Sequence, residues 1–272
     1  MRIDGKVFDF KNKCYVMGIL NITPDSFSDG GRYMDVDSAV KQAEKMAADG
    51  ASIIDVGGES TRPGHVEVSA REEIERVIPV IKELVKRVGL PVSIDTSKAV
   101  VARAAVEAGA SMINDIWGFK RDKNIAEAAA ELEVPCCLMH NRENRHYFDL
   151  LEQITAELKQ SVELALKAGV REDRLILDPG IGFGKDPVQN LIVMNNLKKI
   201  NELGFPWLLG ASRKSMIGKA LDLEIDERLE GTLVTTVMAV MKGASIVRVH
   251  DVKENFRAVK MTEAILNSGS LQ

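Results

Sequence analysis

Along this chain a short apolar run ends on a polar or charged residue about eight times, and each time a helical pattern follows. The runs are CYVMGIL before Asn21, SIIDVGGES before Thr61, PVSI before Asp95 and SMI before Asn114. PCCLM before His140, LIL before Asp178, PWLLGA before Ser212 and SIVRV before His250 complete the set. The intervening patterns predict helices near 36–49, 70–88, 98–108, 122–132, 149–168, 187–203, 226–242 and 252–267. In REEIERVIPVIKELVKRV the apolar residues Ile74, Val77, Ile78, Ile81, Leu84, Val85 and Val88 recur at i, i+3, i+4 and i+7, one helical face packed on a sheet. Asp37-Ser38, Ser69, Ser97 and Asp186-Pro187 mark helix starts, and Gly50, Gly89, Gly109, Gly169, Gly204 and Gly243 mark ends. Residues 3 to 13 alternate and carry Gly5 and Asn12-Lys13, which predicts a small N-terminal hairpin over the floor of the fold.

Strands alternating with helices make βαβ units and a parallel sheet. Eight units fill the chain without a Pro/Ser-rich linker or low-complexity break, so residues 1–272 are expected to form one domain. A doubly wound sheet would concentrate its chemistry at one switch point. Polar residues after nearly every strand favour a single-domain (β/α)8 TIM barrel, whose strand ends converge on one mouth. That mouth would collect two carboxylates, two amides, hydroxyls, cations and two imidazoles, which is the furnishing of an enzyme site.

Composition narrows the classes. A net charge of −4 argues against a nucleic-acid or membrane-surface binder, which carries a basic excess. No stretch approaches the roughly 18 apolar residues of a membrane span, and MRIDGKVFDFKNK has no signal-peptide core. Cys14, Cys136 and Cys137 all fall in predicted strands and are expected to be buried reduced thiols, so a cytoplasmic location is expected.

Several motifs can be set aside. GIGFGK (Gly180 to Lys185) has neither the dinucleotide nor the P-loop spacing. H-E-x-x-H, C-x-x-C and G-x-S-x-G are absent, which disfavours a dedicated zinc site or a nucleophile elbow. Two long loops are more informative. One follows the first strand, MGILNITPDSFSDGGRY, with the aromatic Phe27; the other is DVGGESTRPGHVEVS, with Thr61 and Arg62 near its tip. Loops of that length in a compact barrel are usually functional.

Asp95 could cap the helix beginning near Ser97, and Asp178 before Pro179 could form an Asx turn. Two carboxylates and the amide of Asn114 facing one cavity would suit a ring edge with two parallel N–H donors. The cations are complementary. Ser212, Arg213 and Lys214 open a helix, and Arg248 and His250, two apart, project from one strand face. Loops after the last two strands of barrels often hold phosphate. His65 and His146 sit in predicted loops without an assigned role.

NITPDSFSDGG, GGESTRPG, SIDTSKA, INDI, LDPGIGFGK, GASRKS and RVHDV, in order between residues 17 and 252, together resemble the dihydropteroate synthase family, the sulfonamide target of folate biosynthesis. The resemblance implies condensation of 6-hydroxymethyl-7,8-dihydropterin diphosphate with p-aminobenzoate, releasing pyrophosphate by an SN1-like departure of diphosphate. It implies that Asp95, Asn114, Asp178 and Lys214 hold the pterin, with Met139 on its face. Asn21, Thr61, Arg248 and His250 would hold the diphosphate, Asn21 through Mg²⁺. Phe27, Thr61, Arg62, Pro63, Phe183, Lys214 and Ser215 would shape the p-aminobenzoate pocket. Asp25 on the first loop is the candidate for stabilising the developing pterin cation, with Lys214, Arg248 and His250 the other catalytic groups. Family members are typically homodimers, so a homodimer is expected.

The chain departs from the family pattern after the fifth strand. MHNRENRHYFDL stands there in place of a Met-Gln-Gly-type loop, which leaves His140 and residues 141–148 without an implied role. Two rival readings share the barrel. A pterin-dependent methyltransferase would have no use for the TPDSFSDGG loop, and an inactive pterin-binding barrel would have lost Asn21, Asp95, Lys214 or Arg248.

Overall fold

The computed structural model describes residues 1–22, 32–59 and 68–271. A short antiparallel hairpin, β1 (Arg2–Ile3) and β2 (Lys6–Val7), precedes the barrel strands β3 (Tyr15–Asn21), β4 (Ile53–Gly57), β5 (Val92–Asp95), β6 (Met112–Asp115), β7 (Cys136–Met139), β8 (Leu175–Asp178), β9 (Leu208–Leu209) and β10 (Ile246–Val249). These eight run parallel in the order β8-β7-β6-β5-β4-β3-β10-β9. A bridge between Leu177 and Trp207, with Leu177 N donating to Pro206 O at 3.0 Å, joins the two ends. The fold is the expected (β/α)8 TIM barrel.

The barrel strands are buried on both faces, which is why the runs read as continuous hydrophobics rather than alternating ones. The period of two still governs the side chains. Odd and even positions fall into separate apolar clusters. Val16, Leu20, Ile54, Val56, Ile94, Ile113, Cys136, Leu138, Leu175, Leu177, Leu209, Val247 and Val249 face the helices. Met17, Ile53, Met112, Cys137, Ile176, Leu208 and Ile246 point into the barrel, where Ile3 and Phe8 of the hairpin segment seal the floor. The hairpin is shorter than residues 3–13 but plugs the end it was expected to cover.

The helices are α1 (Arg32–Ala48), α2 (Ala70–Arg87), α3 (Ala99–Glu107), α4 (Ile125–Leu132), α5 (Leu150–Lys167), α6 (Pro187–Asn195), α7 (Lys198–Asn201), α8 (Ser215–Leu221), α9 (Leu229–Met241) and α10 (Val252–Leu266). Ser69 caps α2 through Glu72 N, and Asp186 with Gln189 closes a capping box on α6. Three expectations are corrected. The helix expected over 36–49 begins at Arg32, so Asp37-Ser38 is not its start. That over 187–203 breaks at Asn196, whose side chain donates to Ile192 O at 2.8 Å and leaves the helical path. That over 226–242 starts at Leu229, because Arg228 turns aside to donate to Leu223 O and Arg213 O. Of the cysteines, Cys136 and Cys137 lie in β7 but Cys14 lies one residue before β3; all three are buried free thiols.

Candidate active site

Two residues above the floor, the same inward positions turn polar on β4, β6, β8 and β10, while β7 keeps Met139. Asp55 follows Ile53, Asn114 follows Met112, Met139 follows Cys137, Asp178 follows Ile176 and Arg248 follows Ile246. The parallel register also aligns Asn21, Gly57, Asp95 and Asn114 across four neighbouring strands. A Cβ on Gly57 would stand 3.6 Å from Asn21 Oδ1 and 3.8 Å from Asp95 Oδ2. The glycine therefore leaves an opening shared by an amide oxygen and a carboxylate oxygen.

Arg248 ties this ring together. Its Nε donates to Asp55 Oδ2 at 2.6 Å and its Nη2 to Asp95 Oδ2 at 2.7 Å, while Asn114 Nδ2 donates to Asp55 Oδ2 at 3.0 Å. Asp55 is wholly buried and its Oδ1 has no hydrogen-bond partner among the described residues. Burial pushes Asp95 up to about 7 against the pull of the Arg248 charge. Asp55 was not among the sequence candidates. It lies inside an apolar run, and only its place two residues before Gly57 signals that it faces the barrel.

Asp95 does not cap α3, because Ala99 N bonds Asp122 Oδ2 at 2.8 Å instead. Asp178 does make the Asx turn, accepting Gly180 N on Oδ1 at 2.7 Å. Its Oδ2 remains toward the mouth, beside Gly210. Burial raises the Asp178 carboxyl, opposed first by Lys214. Lys214 bonds Ile181 O and lies 4.5 Å from the centre of the Phe183 ring, and burial lowers it to about 8. The next residue, Ser215, is exposed at the start of α8. Arg213, in a left-handed backbone conformation (φ 56°), pairs through Nε with Asp251 at 2.9 Å and so fixes the turn carrying Lys214. His250 sits beside Ser212, whose Oγ lies 3.0 Å from Nδ1 and accepts from His250 N at 3.2 Å.

Asp115, beside Asn114 in sequence, faces the other way. It is fully buried and accepts Trp117 N at 2.9 Å and Phe119 N at 2.7 Å, organising the turn after β6. His140 is also buried behind the mouth, with Nδ1 2.9 Å from Lys185 Nζ and Nε2 3.1 Å from Glu157. Asp25, Phe27, Thr61, Arg62 and Pro63 lie outside the described residues. The stem of the second loop is described. Lys98 pairs with Glu59 and bonds Glu73 at 2.6 Å, and Arg76 donates to Gly58 O at 2.9 Å.

The profile of the pterin binding enzyme family matches residues 17–250. A dihydropteroate synthase of Clostridium beijerinckii is 59% identical over 98% of this chain and 99% of its own length. That of Bacillus subtilis is 55% identical over 96% of this chain and 92% of its own. The chain belongs to the dihydropteroate synthase family. Among solved structures, a Clostridium difficile dihydropteroate synthase in the presence of pteroic acid superposes with a TM-score of 0.93 at 50% identity, covering 95% of this chain and 99% of the other. A Xanthomonas albilineans dihydropteroate synthase with 4-aminobenzoic acid gives 0.93 at 41% identity, covering 97% and 98%. As a member of this family the protein is a transferase of folate biosynthesis, joining the dihydropterin diphosphate to p-aminobenzoate. No helix among the described residues is long and apolar enough to cross a membrane.

Proposed function

We propose that the polar ring at the barrel mouth holds the dihydropterin edge and directs SN1-like loss of diphosphate before attack by p-aminobenzoate. The observation that carries this reading is the convergence of Asp95, Asn114 and Asp178 with the Arg248 guanidinium in one cavity. The carboxylates and amide would accept from the amidine-like edge of the pterin, with Lys214 beside Asp178 and Met139 against the ring face. Among the described residues Nε and Nη2 of Arg248 bond carboxylates, and its guanidinium, with the His250 imidazole, would face the departing charge.

The C–O bond breaks with its electron pair going to diphosphate, and the electron-rich pterin carries the resulting cation. The arylamine nitrogen then forms the new C–N bond and loses a proton to water. Asp25 would stabilise the cation. Thr61 would reach the diphosphate, and Phe27, Arg62 and Pro63 on the two long loops, with Phe183 and Ser215, would enclose p-aminobenzoate. Asn21 fits Mg²⁺, since its amide oxygen opens into the gap over Gly57 and a hard-oxygen cation keeps most of its ligands from phosphate and water. Bound there, the ion would neutralise negative charge on the diphosphate.

Two broader proposals accompany this one. Val188, Leu191 and Ile192 on α6, Leu221 on α8 and Val234 on α9 are exposed, with α8 packed between the other two helices. We place a second copy of the chain on that face, which sedimentation at twice the 29.9 kDa chain mass tests. The three buried thiols suit the cytoplasm, which fractionation tests.

The reaction itself is tested by pyrophosphate release that requires both the pterin diphosphate and p-aminobenzoate. Release without the arylamine would leave only a hydrolase, and no release would overturn the reading.

A further inference from the structure

Lys185 and His140 have no part in the chemistry just described, yet both are buried at the wall of the mouth. Resting on that reading, we propose that Lys185, braced by His140 and Glu157, is a positioning residue for the arylamine subsite, holding the β8 loop that presents Phe183 and anchors Lys214.

The geometry is complete around the ammonium. Lys185 Nζ lies 2.9 Å from His140 Nδ1, 2.9 Å from Gly180 O and 3.1 Å from Phe183 O. Three acceptors match the three N–H donors of a protonated lysine, one more than a neutral amine could serve. With Nδ1 accepting, the ring proton of His140 sits on Nε2 and donates to Glu157 Oε2 at 3.1 Å. Burial keeps that imidazole neutral, pushing it down to about 4. Burial also lowers Lys185, to about 7, with Asp178 and Glu157 pulling up and Lys214 and Lys120 pushing down.

The brace holds the loop from below. Gly180 (φ 69°) lies so close to β7 that a Cβ would stand 1.9 Å from His140 O, so the backbone has no room to shift inward. Phe183 N donates back to Gly180 O at 3.1 Å, closing the turn. The segment after β7 adds an outer clasp, since Tyr147 Oη donates to Gly184 O at 2.7 Å and Arg142 lies over the Tyr147 ring. On the mouth side the same turn offers Ile181 O to Lys214 and the Phe183 ring beneath it. Removing Lys185 takes the donor from Phe183 O and from the buried His140 Nδ1, and leaves Gly180 O only the bond from Phe183 N that closes the turn. The turn can then relax only by moving the groups that face the arylamine. The pterin edge, held from β5 and β6 by Asp95 and Asn114, is anchored elsewhere.

The test is Lys185→Met, which keeps most of the side-chain volume. KM for p-aminobenzoate should rise about tenfold, with kcat and the KM for the pterin diphosphate within about threefold. A residue that only stabilised the fold would lower the melting temperature without this split, so an unchanged arylamine KM, or a parallel rise in both KM values, overturns the proposal. Should Lys185→Met not fold, Glu157→Gln carries the test. It keeps an acceptor for His140 and should raise the arylamine KM alone by about twofold to threefold; no change there overturns the proposal equally. Wild-type enzyme that releases no pyrophosphate would instead count against the reaction. Direct binding of p-aminobenzoate, measured by calorimetry on wild type and variant, then decides the positioning role by the same tenfold criterion.

Discussion

The floor and the mouth of this barrel are built on the same strands about 6.6 Å apart, two residues of rise, and they obey opposite rules. At the floor Met17, Ile53, Met112, Cys137, Ile176, Leu208 and Ile246 pack as an apolar layer, interrupted by the Ser93 hydroxyl opposite Met112, which has no hydrogen-bond partner among the described residues. At the mouth Asp55, Asn114 and Asp178 are buried, and the part-buried Arg248 guanidinium donates to Asp55. Desolvating such groups costs several kcal/mol apiece before their mutual attraction repays it. Asp55 Oδ1 lacks any partner among the described residues. One pleat thus separates the layer that stabilises the barrel from the layer that holds groups in readiness for a substrate.

The largest expected effect is at the floor. Ile176→Ala should lower the unfolding free energy by about 2–5 kcal/mol, through lost transfer energy and the cavity left behind. Turnover of the folded variant should stay near wild type. Denaturant titration alongside the pyrophosphate assay reads both, and a folded variant with collapsed turnover would erase the distinction between the layers. The mouth should respond the other way. Arg248→Ala removes one preorganised donor for the leaving diphosphate and should lower kcat on the order of 10²-fold. The fold should survive because Asp95, which burial already pushes up to about 7, takes up a proton when deprived of its cation rather than remain as an unpaired charge. An unchanged rate would remove Arg248 from the leaving-group site.

How far this contrast was legible in the sequence depended on parity. Asn114, Asp178 and Arg248 stood out because each ends or interrupts an apolar run at an inward position. Asp55 has the same parity but sits in the middle of its run, so it read as part of the strand. Asp115 is adjacent to Asn114 and equally polar, yet one residue of shift turns it to the helix side, where it organises a turn. Asp178 was both things at once, an Asx-turn acceptor on Oδ1 and a mouth carboxylate on Oδ2. Lys185 and His140 could not be read as a pair, because they are 45 residues apart and meet only through the register of β7 against β8. Local patterning likewise missed the breaks at Asn196 and Arg228, each decided by a side chain reaching for a carbonyl rather than by apolar spacing.

His140 sharpens the comparison, since it is as buried as the floor but ionisable like the mouth. Its ordinary value of about 6.5 is lowered to about 4, first by burial and then by the Lys185 charge, with Glu157 opposing. The unfolded chain therefore takes up a proton near pH 6.5 that the folded protein refuses until near pH 4. Stability from this group is complete above pH 6.5 and is lost as the pH falls toward 4. Relative to His140→Gln, which cannot titrate, wild type should lose about 2 kcal/mol between pH 7 and pH 5. Urea titrations of both proteins across that range read the difference directly, and the pairing cancels the opposite contributions of Asp95 and Asp115, whose raised values act the same way in both. Parallel pH profiles would mean that the folded imidazole takes up its proton as readily as the unfolded one and is charged by about pH 5. Lys185 could not then donate to its Nδ1, and the wall behind the mouth would be held by the outer clasp of Tyr147 on Gly184 instead.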